Sequence, residues 1–216
     1  MAIIRQLVFL GPPGSGKGTQ AKVLAEVLQL PHVSTGDMFR DNIASGTPLG
    51  RQVSGLLKRG QLVPDEVTNQ LIKARLEQAD ARRGFVLDGY PRNLSQAEFL
   101  RALRAVTPDV TVVLLTLPDG EAVKRIARRR TCPVCSTIYH LDYKPPQRSG
   151  VCDKDGAKLI QRNDQTEAVV RGRLATYHQL IDPLQDFYRK RGQLVTVDGL
   201  PPIAEVTVAL MKALGV

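Results

Sequence analysis

The sequence predicts an α/β protein with a parallel sheet, on three observations: short apolar runs, helical patterns between them, and a glycine-rich turn joining the first run to the first helix. Residues 6–10, QLVFL, form the first run, and similar runs recur at Phe85–Asp88, Thr111–Thr116 and residues 194–197. Short runs of this kind read as buried parallel strands. Between them lie helical patterns at Lys17–Leu28 and at residues 65–79, 95–106 and 119–130, with Asp65 and Ser95 as expected N-caps. Strands alternating with helices place helices on both faces of the sheet.

Two stretches interrupt this alternation. Residues 34–63 read as two short helices around Gly46, Pro48 and Gly50, and residues 131–163 as short strands with turns at Pro145-Pro146 and Asp155-Gly156. Both are expected to be mobile insertions into a core made of residues 1–33, 64–130 and 164–216. The segment 164–191 is helical in pattern, with Leu174, Tyr177, His178, Ile181 and Leu184 along one stripe and a kink expected at Pro183.

A chain of 216 residues, 43% hydrophobic, can bury one full core but not two ordinary domains. No apolar run approaches the roughly 18 residues of a spanning helix, and the N-terminus carries no cleavage-type signal, so a soluble cytoplasmic protein is expected. Thirty Lys and Arg against 21 Asp and Glu give a net charge of +9, which favours anionic ligands without choosing among nucleotides, nucleic acid and lipid. The three cysteines all lie between residues 132 and 152, where they suggest a local metal site and make a poor disulfide framework.

Residues 11–19, GPPGSGKGT, follow a strand and open a helix. Backbone N–H groups and the positive helix end converge there, and Lys17 adds a point charge, so a phosphate chain fits. The general P-loop places Ser or Thr after the lysine to reach Mg²⁺, whereas this chain has Gly18 and carries Thr19 one place later. Cys132-Pro-Val-Cys135 and, sixteen residues on, Cys152-Asp-Lys-Asp155 are spaced like a zinc ribbon in which three thiolates and a carboxylate close a tetrahedral site. A redox pair at Cys132 and Cys135, His140 as fourth ligand with Asp155 serving only its turn, and buried metal-free cysteines are the alternatives.

The pattern G-x-P-G-x-G-K-G-T is similar to that of the nucleoside monophosphate kinases, where glycine after the lysine is normal. The ordered set Ser34-Thr35-Gly36-Asp37-Met38-Phe39-Arg40, Gln61-Leu62-Val63-Pro64-Asp65 and Asp88-Gly89-Tyr90-Pro91-Arg92 with Gln96 resembles the adenylate kinase motifs, and the likeness covers essentially the whole chain. The resemblance implies a P-loop NTPase-like, five-stranded parallel sheet, a helical AMP-binding insertion at 34–63, a zinc-ribbon lid at 131–163 and a monomer. It implies transfer of the terminal phosphoryl group of ATP to AMP, giving two ADP.

By the same resemblance, ATP is held by Gly14, Ser15, Gly16, Lys17, Gly18, Thr19, Arg125, Arg129, Ile138 and Tyr139. AMP is held by Thr35, Gly36, Arg40, Gln61, Leu62, Val63, Gly89, Tyr90, Pro91, Arg92, Gln96, Arg162 and Arg173. Lys17, Arg92, Arg125, Arg129, Arg162 and Arg173 surround the moving group, and Asp88 orients the waters of Mg²⁺. The chemistry agrees: guanidinium forks suit phosphate oxygens, and the Gln96 amide complements the N1 and N6 edge of adenine. Cys132, Cys135, Cys152 and Asp155 hold a structural zinc with no catalytic part. Asp164 belongs to the hinge of the lid; where the family often shows a second acidic residue next, this chain has Gln165.

Other readings are a kinase for GMP or a pyrimidine nucleotide, a zinc-ribbon nucleic-acid-binding protein, and a P-loop ATPase or switch. With five Tyr, five Phe and no Trp, and no aromatic cluster in the ribbon, a base-stacking surface is not expected. An ATPase or switch is expected to carry the Ser or Thr that Gly18 replaces.

Overall fold

The computed structural model of the chain describes residues 5–107 and 109–216; residues 1–4 and 108 of the expected core unit lie outside them. Five parallel strands form the sheet: β1 (Gln6–Leu10), β2 (His32–Ser34), β3 (Phe85–Asp88), β4 (Thr111–Thr116) and the C-terminal β7 (Leu194–Asp198), in the order β2-β3-β1-β4-β7. The register is continuous from strand to strand, with Val8 paired to both Leu87 and Val112, and Val113 to Val195.

Alternation within the strands divides the core. Val8, Leu10, Phe85, Leu87, Val112 and Leu114 face one way, where they meet α4 (Asp65–Leu76), α5 (Leu94–Ala102) and the long α7 (Glu167–Arg189) through Ile72, Leu76, Leu100, Ile181 and Leu184. Leu7, Phe9, Val86, Val113 and Leu115 face the other way, onto α1 (Lys17–Leu28) and α8 (Ile203–Leu214) through Leu24, Val206 and Leu210. Each such residue, fully buried, contributes on the order of 1.5–3 kcal/mol. A third cluster seats α6 (Asp119–Ala127) on α7, with Ile126, Val170 and Leu174 at its centre.

The two interruptions carry cores of their own. Between β2 and α4, α2 (Thr35–Ala44) and α3 (Pro48–Lys58) close on Phe39, Val53 and Val63. Thr47 caps α3 by accepting from the Gly50 N–H at 3.0 Å, and Pro48 supplies its first turn, so the punctuation residues are the caps of this helix pair. The second interruption holds β5 (Arg129–Thr131) and β6 (Ile138–His140), antiparallel to each other, with single bridges at Thr131–Ile160 and Val151–Lys158. Its core is only Cys132, Tyr139, Cys152 and Leu159 with Ala157 beside them.

Several local expectations are corrected. Asp65 is the first helical residue after Pro64 and makes no capping bond, and α5 is capped by Asn93, not Ser95: its side chain accepts from the Gln96 N–H at 2.8 Å. Helix α4 stops at Leu76 and is followed by a 3₁₀ turn at Ala79–Arg83. Arg129 lies on β5 and not on a helix, because α6 ends at Ala127 and the small sheet begins two residues later. His178 is not part of the buried stripe; its ring bonds Asp119 in solvent at 2.9 Å, leaving Leu174, Ile181 and Leu184 to pack. Helix α7 runs through Pro183 without ending there.

Gly60, at the end of the α2–α3 segment, is held at φ +69°, and a Cβ there would lie 2.6 Å from Val169 Cγ1 and 3.0 Å from Arg173 Cδ. Glycine is required on both counts. Gly60→Ala is expected to cost about 1–3 kcal/mol in urea unfolding; a loss below about 0.5 kcal/mol would show that this seam relaxes freely.

Candidate active site

The glycine-rich turn sits at the C-terminal edge of the sheet, where β1 ends and α1 begins. Gly16 is the N-cap of α1 in a left-handed conformation with no side-chain cap, so the first N–H groups of the helix open toward the turn. Ser15 Oγ is buried there with no hydrogen-bond partner among the described residues. Lys17 Nζ folds back onto the carbonyls of Gly11 at 2.7 Å and Pro12 at 2.8 Å. Burial pulls its pKa down to about 7; Asp88 offsets part of this, while Arg92, Arg173 and Arg129 add repulsion.

Asp88 ends β3 beside this turn, with His32 Nε2 at 4.0 Å. A Cβ on Gly18 would lie 3.0 Å from Asp88 Oδ2, so glycine leaves the carboxylate a close approach to the start of α1. A carboxylate next to an anion-binding turn fits a hydrated Mg²⁺.

Four guanidinium groups converge on the same region from separate elements: Arg92 after β3, Arg129 on β5, Arg162 before α7 and Arg173 on α7. Burial pulls Arg92 down to about 10, and the charges of Arg173 and Arg40 add to this against Asp88. Burial likewise takes Arg129 to about 10, with repulsion from Arg162 and Arg173. Arg162 and Arg173 are lowered chiefly by burial too. Asp164 stands 3.3 Å from both Arg162 and Arg173. All four guanidiniums remain charged at neutral pH, and Asp88 and Asp164 are the carboxylates that offset them here.

A second pocket opens beside Arg92, lined by Thr35, Gly36, Phe39, Leu57, Gln61, Leu62, Val63, Thr68, Gly89 and Gln96. Thr35 Oγ1 donates to the Gly89 carbonyl at 3.0 Å, tying the start of α2 to the end of β3. Gln96 is 2% exposed; its Oε1 accepts from the Arg92 N–H at 2.7 Å and its Nε2 donates to Asp65 Oδ1 at 2.7 Å. Each end of the amide keeps one further bond to give, an acceptor lone pair and an N–H. Arg40 pairs with Asp37 at 2.5 Å at the mouth of this region.

Not every residue named from sequence joins these surfaces. Arg125 is turned away from the arginine cluster, donating to the carbonyls of Gly199 at 2.7 Å and Leu200 at 2.6 Å. Tyr139 is buried in the small sheet's core, its hydroxyl accepting from the Asp153 N–H at 2.8 Å, while Ile138 beside it is exposed. Tyr90 is fully buried, its hydroxyl donating to Asn69 Oδ1 at 2.5 Å with the Gln96 carbonyl 3.1 Å away, and the Tyr90–Pro91 bond is cis. The sequence reading missed Phe39, Leu57 and Thr68 as pocket walls. Apolar residues at helical spacing on α2 and α3 were the available signal for Phe39 and Leu57; Thr68, a polar residue on α4, offered none.

Cys132, Cys135, Cys152 and Asp155 bring their donor atoms within 4.8 Å of one another and could hold a metal ion. The N–H groups of Val134 and Cys135 both point at Cys132 Sγ at 3.4 Å, the arrangement of a metal-binding knuckle. Asp155 serves its turn as well, accepting from the Ala157 N–H at 3.0 Å while lying 3.2 Å from Cys132 Sγ. His140 is outside the cluster; its Nδ1 accepts from the N–H groups of Asp142 and Tyr143. The donor set of three thiolates and one carboxylate fits zinc.

A phosphate-binding turn facing a cluster of surplus guanidiniums, on a parallel sheet, defines a P-loop phosphotransferase. The adenylate kinase family model matches residues 9–193. The chain is 49% identical to the adenylate kinase of Streptomyces griseus and 47% identical to that of Acholeplasma laidlawii, each over 97% of both chains. It is 48% identical to the adenylate kinase of Archaeoglobus fulgidus over 93% of both. The chain belongs to the adenylate kinase family.

Proposed function

We propose that this chain transfers the terminal phosphoryl group of ATP to AMP, giving two ADP, with ATP on the glycine-rich turn and AMP in the pocket beside Arg92. One observation carries the assignment of sites: Lys17 and the mutually repelling guanidiniums of Arg92, Arg129, Arg162 and Arg173 lie between the two surfaces, where a phosphoryl group would pass. Transfer of this kind needs alignment and charge stabilisation more than covalent help.

The α1 N–H groups and Lys17 hold the donor phosphates, with Lys17 leaving the Gly11 and Pro12 carbonyls to do so. Arg92, with Arg40 at the mouth, grips the acceptor phosphate, and the free acceptor and donor of Gln96 read the adenine edge. Arg129, Arg162 and Arg173 stabilise charge on the group in flight. Mg²⁺, when bound, neutralises phosphate charge, and Asp88 is the residue placed to orient its water shell. Residues 34–63 form the acceptor-binding unit. Residues 131–163, with Arg129 at their entrance, form a lid that excludes water, so that ATP is not hydrolysed.

Zinc on Cys132, Cys135, Cys152 and Asp155 shapes the lid. Three free thiols serving as ligands suit the reducing cytoplasm, and both nucleotide surfaces come from one chain, so a monomer suffices. Among the described residues no helix is long and apolar enough to cross a membrane.

A coupled assay with ATP and AMP, GMP, CMP or UMP tests the assignment. AMP is expected to exceed the others by roughly a hundredfold or more in kcat/KM, because the Gln96 edge leaves other bases with unpaired groups. Preference for another acceptor, or ATP hydrolysis without one, overturns it.

A further inference from the structure

Chain passes between the main body and the small sheet at two places, residues 127–129 and 161–165, and neutral amides join them. Gln161 Nε2 donates to the Ala127 carbonyl at 3.1 Å and to the Gln165 carbonyl at 3.2 Å. Gln165 is 1% exposed. Its Oε1 accepts from the Arg162 N–H at 3.2 Å while its own N–H donates to the Arg162 carbonyl at 3.0 Å, closing a reciprocal cap around the 3₁₀ turn Asn163–Gln165. Its Nε2 is buried with no hydrogen-bond partner among the described residues.

That combination needs an explanation. A buried amide with half its capacity unused costs stability, and a carboxylate of the same shape could accept the Arg162 N–H without leaving a donor stranded. It would also bring a negative charge beside Arg162, next to Asp164, which already faces both Arg162 and Arg173. The amide therefore does the positioning of a carboxylate while leaving the cluster's surplus charge intact.

We propose that Gln165 is a positioning residue that fixes the backbone of Arg162 at the lid hinge without adding charge, and so keeps the arginine cluster electrostatically open for the phosphates of the nucleotide. This rests on the site assignment above. Two near-isosteric variants separate the two parts of the role. Gln165→Glu retains an acceptor for the Arg162 N–H and adds charge; Gln165→Leu removes the hydrogen bonding and adds none.

The probe is inorganic tripolyphosphate, titrated calorimetrically at pH 8 from low to high salt, alongside steady-state kinetics. Gln165→Glu is expected to weaken tripolyphosphate binding roughly tenfold at low salt, with the gap narrowing as salt screens it, and to raise KM for ATP more than it lowers kcat. Gln165→Leu is expected to lower kcat more than it raises KM, since Arg162 is then less well placed. Equal tripolyphosphate affinity for Gln165→Glu and the parent at low salt overturns the proposal, as does a gap that salt does not narrow. Should the parent itself fail to bind tripolyphosphate, the site assignment fails instead. Should Gln165→Leu not fold, the salt series on Gln165→Glu still decides.

Discussion

Lys17→Met is expected to lower turnover by roughly two to three orders of magnitude while leaving the melting temperature close to that of the parent. Methionine matches the lysine stem in length and keeps its packing, so the loss isolates the charge. Near-parental turnover would remove Lys17 from the chemistry. The native lysine makes a second, independent signature available. With a pKa of about 7 without nucleotide, pulled down first by burial, Lys17 is largely neutral at pH 8. A bound phosphate chain restores the charge, so nucleotide binding at pH 8 takes up on the order of one proton per chain, measured by calorimetry in buffers of different ionisation heat. Lys17→Met abolishes that uptake.

The linkage also runs to stability. The unfolded chain holds this proton up to the ordinary lysine range while the folded chain releases it near 7, so between about pH 7 and 10 the unfolded state binds more protons. The Lys17 contribution therefore rises with pH across that window and is least favourable below it. Phosphate binding reverses the penalty, which is how a buried cation of this kind serves binding at the expense of the empty protein's stability.

The parts of this architecture that rest on local pattern were legible in the residues. Strands such as QLVFL are apolar at almost every position because both faces are covered, and the glycines of residues 11–19 announce a turn that no other sequence would need. Strand β2 escaped because it has three residues, of which Val33 alone is apolar; its place depends on pairing with β3, a tertiary fact. Helix α8 escaped because Ile203, Val206, Thr207 and Val208 are β-branched and Pro202 offers no side-chain cap, so the helix owes its stability to packing on α1 and the sheet. At the site, residue types were legible and directions were not. Arg125 and Arg129 lie one helical turn apart in sequence, yet the end of α6 at Ala127 sends one toward the Gly199 and Leu200 carbonyls and the other into the cluster.

Chelation of the lid metal is expected to lower the melting temperature steeply while turnover measured at low temperature falls much less. The physical reason is the size of the small sheet's core: Cys132, Tyr139, Cys152 and Leu159 are its four buried members among the described residues, and two of these belong to the proposed metal site. About thirty residues cannot enclose enough apolar surface to hold themselves together, whereas a structural zinc contributes on the order of 10 kcal/mol. A metal held by these four residues would stand outside the arginine cluster and would support the lid without touching the moving phosphoryl group. Elemental analysis should find about one zinc per chain. Asp155→Cys, which completes a four-thiolate site, is expected to hold or raise the melting temperature, and Asp155→Ala to lower it. A chain that binds no zinc, or one that loses turnover on chelation while its lid stays folded, would contradict the structural role; the expected outcome is a chain that melts early yet keeps most of its turnover in the cold, because the residues proposed for catalysis and those proposed to brace the lid through a metal are different.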